Sequence, residues 1–159
     1  MNNPVVIFGA GNYGKLALDC FASNDVLIFG FLDENEKLHN TEISEIMVLG
    51  DTMDDGHLKI IGNKTEAFVA IENKTHKEKI IKMLMDRRKT MPVNAIHALA
   101  KISEDAEIGH GIIIAAGAVV NIGAKISNHS VIMSNAVVDV NVEIGEFAEI
   151  GAGAIINAD

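Results

Sequence analysis

AKISED, AEIGHG, IIIAAG, AVVNIG, AKISNH, SVIMSN, AVVDVN, VEIGEF, AEIGAG, AIINAD: cut into sixes, this is the chain from Ala100 to Asp159. The third residue of every unit is Ile or Val, from Ile102 through Val120 and Val138 to Ile156. The first is Ala or Ser in eight of the ten units, with Ile112 and Val142 the larger exceptions. A fixed short period of this kind marks a stacked repeat architecture. Each six reads as one short strand followed by a tight corner. The β-branched residue points inward, where its stiff χ1 suits a pleated wall. The corner takes Gly, Asn and Asp, which reach positive φ or bond their own backbone cheaply. One unit cannot bury its aliphatic side chain alone, so stacking builds the core. Strands of an ordinary sandwich would be irregularly spaced, with turn signals every ~8–12 residues. The expected fold for residues 94–159 is a parallel β-helix of hexapeptide repeats.

Upstream the rhythm changes. Val5–Phe8 is a short apolar run of the buried parallel-strand kind. It leads into Gly9-Ala10-Gly11-Asn12-Tyr13-Gly14 and then a helical stretch with Leu16, Ala17, Cys20 and Phe21 on one face. Val26–Leu32 is a second strand ending at Asp33-Glu34-Asn35, Met47–Leu49 a third and Ala67–Ile71 a fourth. His76 to Lys89 reads as a helix with Ile80, Ile81, Leu84 and Met85 inward, closed by Met91-Pro92. Strands alternating with helices predict an α/β unit with a parallel sheet over residues 1–93.

The 159 residues carry a formal charge of −9, which argues against nucleic acid and anionic membranes as partners. Cys20 is the single cysteine, so there is no disulfide framework and no cysteine zinc site; no metal is expected, and a reducing, cytoplasmic setting is. The N-terminal MNNPVVIFGAG has no basic leader and too short an apolar run to span a bilayer.

The glycine loop stands in the context that phosphate binding requires: strand before, helix after, and an acidic residue at the end of the next strand. A helix N-terminus offers free amides, and Gly removes the Cβ that would block approach. Asp33 is placed to take a ribose hydroxyl. The plain alternative is turn chemistry alone. About 90 residues supply one half of a dinucleotide fold, so a mononucleotide or a nucleotide sugar fits better than NAD.

With GAGNYG, Phe31-Leu32-Asp33-Glu34, Leu49-Gly50-Asp51, Phe68-Val69-Ala70-Ile71-Glu72-Asn73 and Ile96-His97 before the repeats, the whole chain resembles the bacterial hexapeptide-repeat sugar O-/N-acyltransferases. These include sialic-acid O-acetyltransferases and UDP-4-amino-sugar N-acetyltransferases, enzymes of surface-glycan and sialic-acid-type sugar biosynthesis. The resemblance implies a Rossmann-like N-terminal half domain and a left-handed β-helix, assembled as a homotrimer, with acetyl-CoA in the groove between neighbouring helices. It places UDP contacts on Gly9, Ala10, Gly11, Asn12, Tyr13, Gly14, Asp33, Glu34 and Asn73, and acetyl-CoA contacts on Glu149, Gly151 and Ala152. Where the family usually has glycine after its Ala-Ile pair, this chain has Glu72, an extra negative charge near the nucleotide. Relatives continue beyond the tenth six, so the β-helix is expected to be a truncated version of theirs.

The family's catalytic motif carries a histidine as general base, an acidic residue next to it, and a second histidine nine residues on. Here the stretch is Val137-Val138-Asp139-Val140-Asn141-Val142-Glu143-Ile144-Gly145-Glu146-Phe147-Ala148-Glu149. Val140 stands at the base, Asn141 at the acid and Glu149 at the second histidine, so no catalytic residue of the family is intact. Val cannot accept a proton. Residues eighteen apart should stack, and the column of Val140 holds Glu104, Ile122 and Ala158, with no histidine. His110 falls in another column with Asn128 and Glu146, and His129 at a corner; His97 precedes the first six, and His39, His57 and His76 belong to the N-terminal part. Each reads as structural or solvated, and Asp139 or Glu149 is the remaining candidate base. Two functions follow: an acyltransferase working with a displaced base or by positioning alone, or a non-catalytic, trimerising binder of nucleotide sugars.

Overall fold

A computed structural model describes residues 2–158. The chain divides into two units, Met1–Val93 and Asn94–Asp159, each packed chiefly on itself.

In the first unit, β1 (Val5–Phe8), β2 (Ile28–Leu32), β3 (Glu42–Ile43), β4 (Ile46–Gly50) and β5 (Glu66–Val69) form one sheet in the order β3-β4-β2-β1-β5. β1 lies parallel to β2 and to β5, and β2 parallel to β4. β3 is antiparallel to β4 and was not expected. Its turn, Ser44-Glu45, runs at φ 48 and 69 with neither glycine nor asparagine, so no turn residue announces it. Among the described residues three α-helices, α1 (Asn12–Ala22), α2 (Asp55–Leu58) and α3 (Lys74–Arg88), and a short 3-10 turn at Glu36–Leu38 complete the unit. α1 follows the glycine loop and buries Ala17, Cys20 and Phe21, while Leu16 is half-buried. α3 turns Ile80, Met83 and Leu84 inward onto Val6, Phe8 and Val69. Met85, expected inside, is 40 % exposed, one position past the apolar stripe that Met83 fills.

The second unit is a three-walled parallel β-helix. One wall stacks β7 (Lys101–Ile102), β10 (Val119–Val120), β13 (Val137–Val138) and β16 (Ile155–Ile156). The next stacks β8 (Glu107–Ile108), β11 (Lys125–Ile126) and β14 (Glu143–Ile144). The third stacks β6 (Ala95–Ile96), β9 (Ile113–Ile114), β12 (Val131–Ile132) and β15 (Glu149–Ile150). Partners in each wall are eighteen residues apart, as Val120 with Val138 and Ile126 with Ile144. First and third positions of the sixes together make the core: Ala118, Ala124 and Ala136 interleave with Ile114, Val120, Ile132 and Val138. Ser130, fully buried at a first position, satisfies its hydroxyl by donating to the Ser127 carbonyl at 2.8 Å. From the second unit onward the sixth position turns its corner in the left-handed region: Gly111, Gly117, Gly123, His129, Asn135, Asn141, Phe147 and Gly153 all have φ between 60 and 77. Asp159, the sixth residue of the tenth unit, lies outside the described residues.

Among the described residues no helix is long and apolar enough to cross a membrane, and no group of three or more His, Cys, Asp or Glu is set to hold a metal.

Candidate functional site

The glycine loop runs from the C-terminal end of β1 to the N-terminus of α1, and its three glycines have different reasons to be there. Gly9 has φ +105, and a Cβ on it would stand 2.6 Å from the Ala70 carbonyl oxygen. A Cβ on Gly14 would collide with the Gly9 carbonyl, so this glycine lets helix and loop close together. Around Gly11 a Cβ would meet nothing within 4 Å. Two glycines therefore serve packing, and Gly11 alone leaves open room.

That room belongs to a cavity of about 300 Å³ in the first unit. Of the residues expected at a nucleotide, Gly9, Gly11, Asp33 and Glu34 line it. Ala10, Asn12, Tyr13, Gly14 and Asn73 are not among its lining residues. Thr52, Ala70, Ile71, Glu72 and His76 complete the wall. Thr52 and His76 carried no signal in sequence: Thr52 follows β4 across the sheet from the glycine loop, and His76 sits in the first turn of α3.

Asp33 ties this region together. Its Oδ2 accepts the Ala10 N–H and its Oδ1 the Asn35 N–H, both at 2.8 Å. The aspartate thus holds the loop to the end of β2, and the Ala10 amide is not free for a phosphate. His39 Nε2 lies 2.7 Å from the Asp33 carbonyl oxygen. Glu34 Oε2 lies 3.5 Å from His76 Nε2. Asn73 serves as the N-cap of α3, its Oδ1 accepting the His76 N–H at 2.9 Å. The amides opening α1 are different, for its N-cap Gly11 offers no side-chain acceptor and no acidic residue lies in the first turn. The start of α1 therefore carries no negative group of its own to offset the helix dipole.

In the second unit, Val140 is 39 % exposed at the corner between β13 and β14, stacked with Ile122, 51 % exposed, between β10 and β11. The histidines lie at a different corner. His110, between β8 and β9, packs its ring edge-on against His129, between β11 and β12, with centroids 5.1 Å apart; Phe147 continues the stack at 5.2 Å. Neither histidine shares the column of Val140. Beside Val140, Asp139 is half-buried, its Oδ1 accepting the Val140 N–H at 2.8 Å and the Asn121 side-chain amide at 3.4 Å. Glu149 is exposed on β15, and Gly151 and Ala152 are exposed in the turn that follows it. A Cβ on Gly151 would meet nothing within 4 Å, and its φ is not positive, so neither packing nor conformation demands glycine there.

The profile of the PglD N-terminal domain matches residues 4–84. The chain belongs to that family. Among solved structures, it is similar to the acetyltransferase domain of PglB from Neisseria gonorrhoeae FA1090 in complex with acetyl coenzyme A. Identity is 22 % over 98 % of this chain and 73 % of that one, with a TM-score of 0.82. PerB from Caulobacter crescentus, in complex with CoA and GDP-perosamine, aligns at 21 % identity over 98 % of this chain and 89 % of that one, with a TM-score of 0.70. WeeI from Acinetobacter baumannii AYE aligns at 18 % identity over 96 % and 71 %, with a TM-score of 0.78. No curated protein matches the chain. The structural likeness establishes the fold of this PglD-type chain: a Rossmann-like half domain and a left-handed β-helix.

Proposed function

We propose that this chain is an acetyl-CoA-dependent sugar or nucleotide-sugar acyltransferase of surface-glycan or sialic-acid-type sugar biosynthesis, in which the general-base histidine is absent. The observation that carries the reading is the fold as a whole: a PglD-type N-terminal domain followed by a β-helix, aligned over nearly the full chain with an acetyltransferase domain. The residues present fit both ligands. The cavity at Gly11 is within the range of small-ligand sites, and Gly11, the N-cap of α1, lines it, so the positive end of the helix dipole would favour an anion there. Uridine is the nucleoside that the family resemblance implies. Gly151 leaves an open position beside Glu149 and Ala152 where acetyl-CoA would lie.

In such a transfer a sugar amine or hydroxyl attacks the thioester carbonyl, the CoA thiolate leaves, and the nucleophile sheds a proton. Val140 cannot take that proton. Asp139 is the better placed of the two carboxylates, because its backbone hydrogen bond fixes it beside the same corner. Positioning of the two substrates supplies the rest of the rate.

A homotrimer and a cytoplasmic setting belong to the same proposal. The first is supported by Val119, Val137 and Ile155, which stack on the outer face of one wall; Ile155 is 62 % exposed. Val131, at the same second position of its six on another wall, is buried and adds nothing to an exposed face. The second is supported by the buried thiol of Cys20, which forms no disulfide.

Calorimetric titration with a nucleotide and, separately, with acetyl-CoA tests the reading. Binding of both sustains it; binding of neither ends it, and nucleotide alone leaves a binder without transfer.

A further inference from the structure

The chemistry of the cavity wall is one-sided. Asp33, Glu34 and Glu72 line it, and among the described residues neither lysine nor arginine does. Two of the three carboxylates are engaged: Asp33 by the Ala10 and Asn35 amides, Glu34 by His76. No hydrogen bond or ion pair holds Glu72 among the described residues, and it is exposed at the wall. A second feature points the same way. Thr52 is only 3 % exposed, lines the cavity, and its hydroxyl has no hydrogen-bond partner among the described residues. The hydroxyl is not among the buried polar atoms of the described residues that lack a partner, so it stays open to the cavity and available to a ligand there. The wall thus offers one hydroxyl donor and surplus acceptors.

Nucleobases differ in what they present to such a wall. The Watson–Crick edge of guanine is an acceptor, O6, followed by two adjacent donors, N1–H and N2–H. A carboxylate takes that pair of donors side by side, and a hydroxyl serves O6. Uracil presents one donor between two carbonyl oxygens, so a carboxylate facing N3–H also faces a like-signed oxygen. Cytosine and adenine each present an acceptor next to their amino group. We propose that the free Glu72 carboxylate, with Thr52, makes this cavity select a guanine nucleotide over a uracil one. The inference rests on the cavity being the nucleotide site, and it corrects the uridine expectation at a residue where the family usually has glycine.

Titration of the unmodified chain with GDP, UDP and IDP tests it, because IDP lacks only the guanine N2 amino group. GDP should bind tighter than UDP by roughly tenfold or more, and tighter than IDP, as a site that pairs a donor rejects the analogue lacking it. Glu72→Gln, at an exposed position, should keep the melting temperature and bring GDP and UDP towards equal affinity. UDP binding as tightly as GDP overturns the proposal. So does an equal loss of all three nucleotides in Glu72→Gln, which would put the carboxylate on the ribose diol that they share. Failure of all three to bind the unmodified chain removes the nucleotide site itself, a result distinct from a preference for UDP.

Discussion

Asn141 stacks on Gly123 one coil away, and a Cβ on Gly123 would collide with the Asn141 amide oxygen. Both residues turn their corners in the left-handed region, at φ 61 and 77. The pairing repeats at Asn135 over Gly117, and His129 stands over Gly111 in the same way. Asn141 occupies the family's acid position, yet its conformation and its contact are those of a corner residue. Its side chain covers the coil beneath.

Gly123→Ala should therefore destabilise the β-helix by about 2 kcal/mol or more, since an L-residue in the left-handed region costs ~1–2 kcal/mol before any collision. Gly145→Ala is the control: its φ is not positive and a Cβ there meets nothing within 4 Å. It should change stability by less than about 0.5 kcal/mol. Chemical denaturation of the two variants decides, and equal losses would mean that the corner ladder contributes nothing.

The glycine loop allows a sharper separation of packing from binding. Gly9→Ala forces a Cβ to within 2.6 Å of the Ala70 oxygen at φ +105 and should lower the melting temperature clearly. Gly11→Ala meets no protein atom, so thermal stability should hold while nucleotide affinity falls. If Gly11→Ala binds nucleotide like the unmodified chain, the cavity beside it is not the nucleotide site.

The repeat was legible because its physics is local: an aliphatic every sixth residue and a corner tolerant of positive φ leave one architecture. The same logic gave β1, α1 and the glycine loop. What sequence did not show came from long-range geometry or from unusual turns. β3 turns on Ser44-Glu45, which carry no turn signature, and Phe147 takes a left-handed φ of 61 that its type does not announce. Thr52 and His76 reach the cavity only because β4 and α3 are folded beside β1 and β2. Asp33 lines the cavity, but its engagement with the Ala10 amide depends on a contact twenty-three residues back, which no local pattern announces.

Assembly is open to a direct test. Light scattering at micromolar concentration should give three times the 17.0 kDa chain mass. Val137→Lys places a charge in the middle of the Val119–Val137–Ile155 stripe and should shift the mass towards that of one chain. A stable monomer of the unmodified protein would remove the trimer and leave that stripe without a partner.

Transfer chemistry turns on Val140. A positioned general base contributes ~10²–10⁴-fold, and the column of Val140 offers Ile122 and Glu104 in its place, with the histidines at another corner. Thiol release from acetyl-CoA in the presence of an amino-sugar nucleotide or sialic acid should therefore run ~10²–10⁴-fold below that of a site with the histidine base in place. Restoring the constellation requires Val140→His and Glu149→His, whereas Asn141→Asp is compatible with the corner because Asp also tolerates the left-handed region. The unmodified chain gives the decisive measurement. Robust, sugar-dependent release that is lost in Asp139→Asn would make Asp139 the base, held beside Val140 by the hydrogen bond it accepts from that residue's amide. The same release unaffected by Asp139→Asn but lost in Glu149→Gln would move the base to the exposed carboxylate on β15, and with it the sugar.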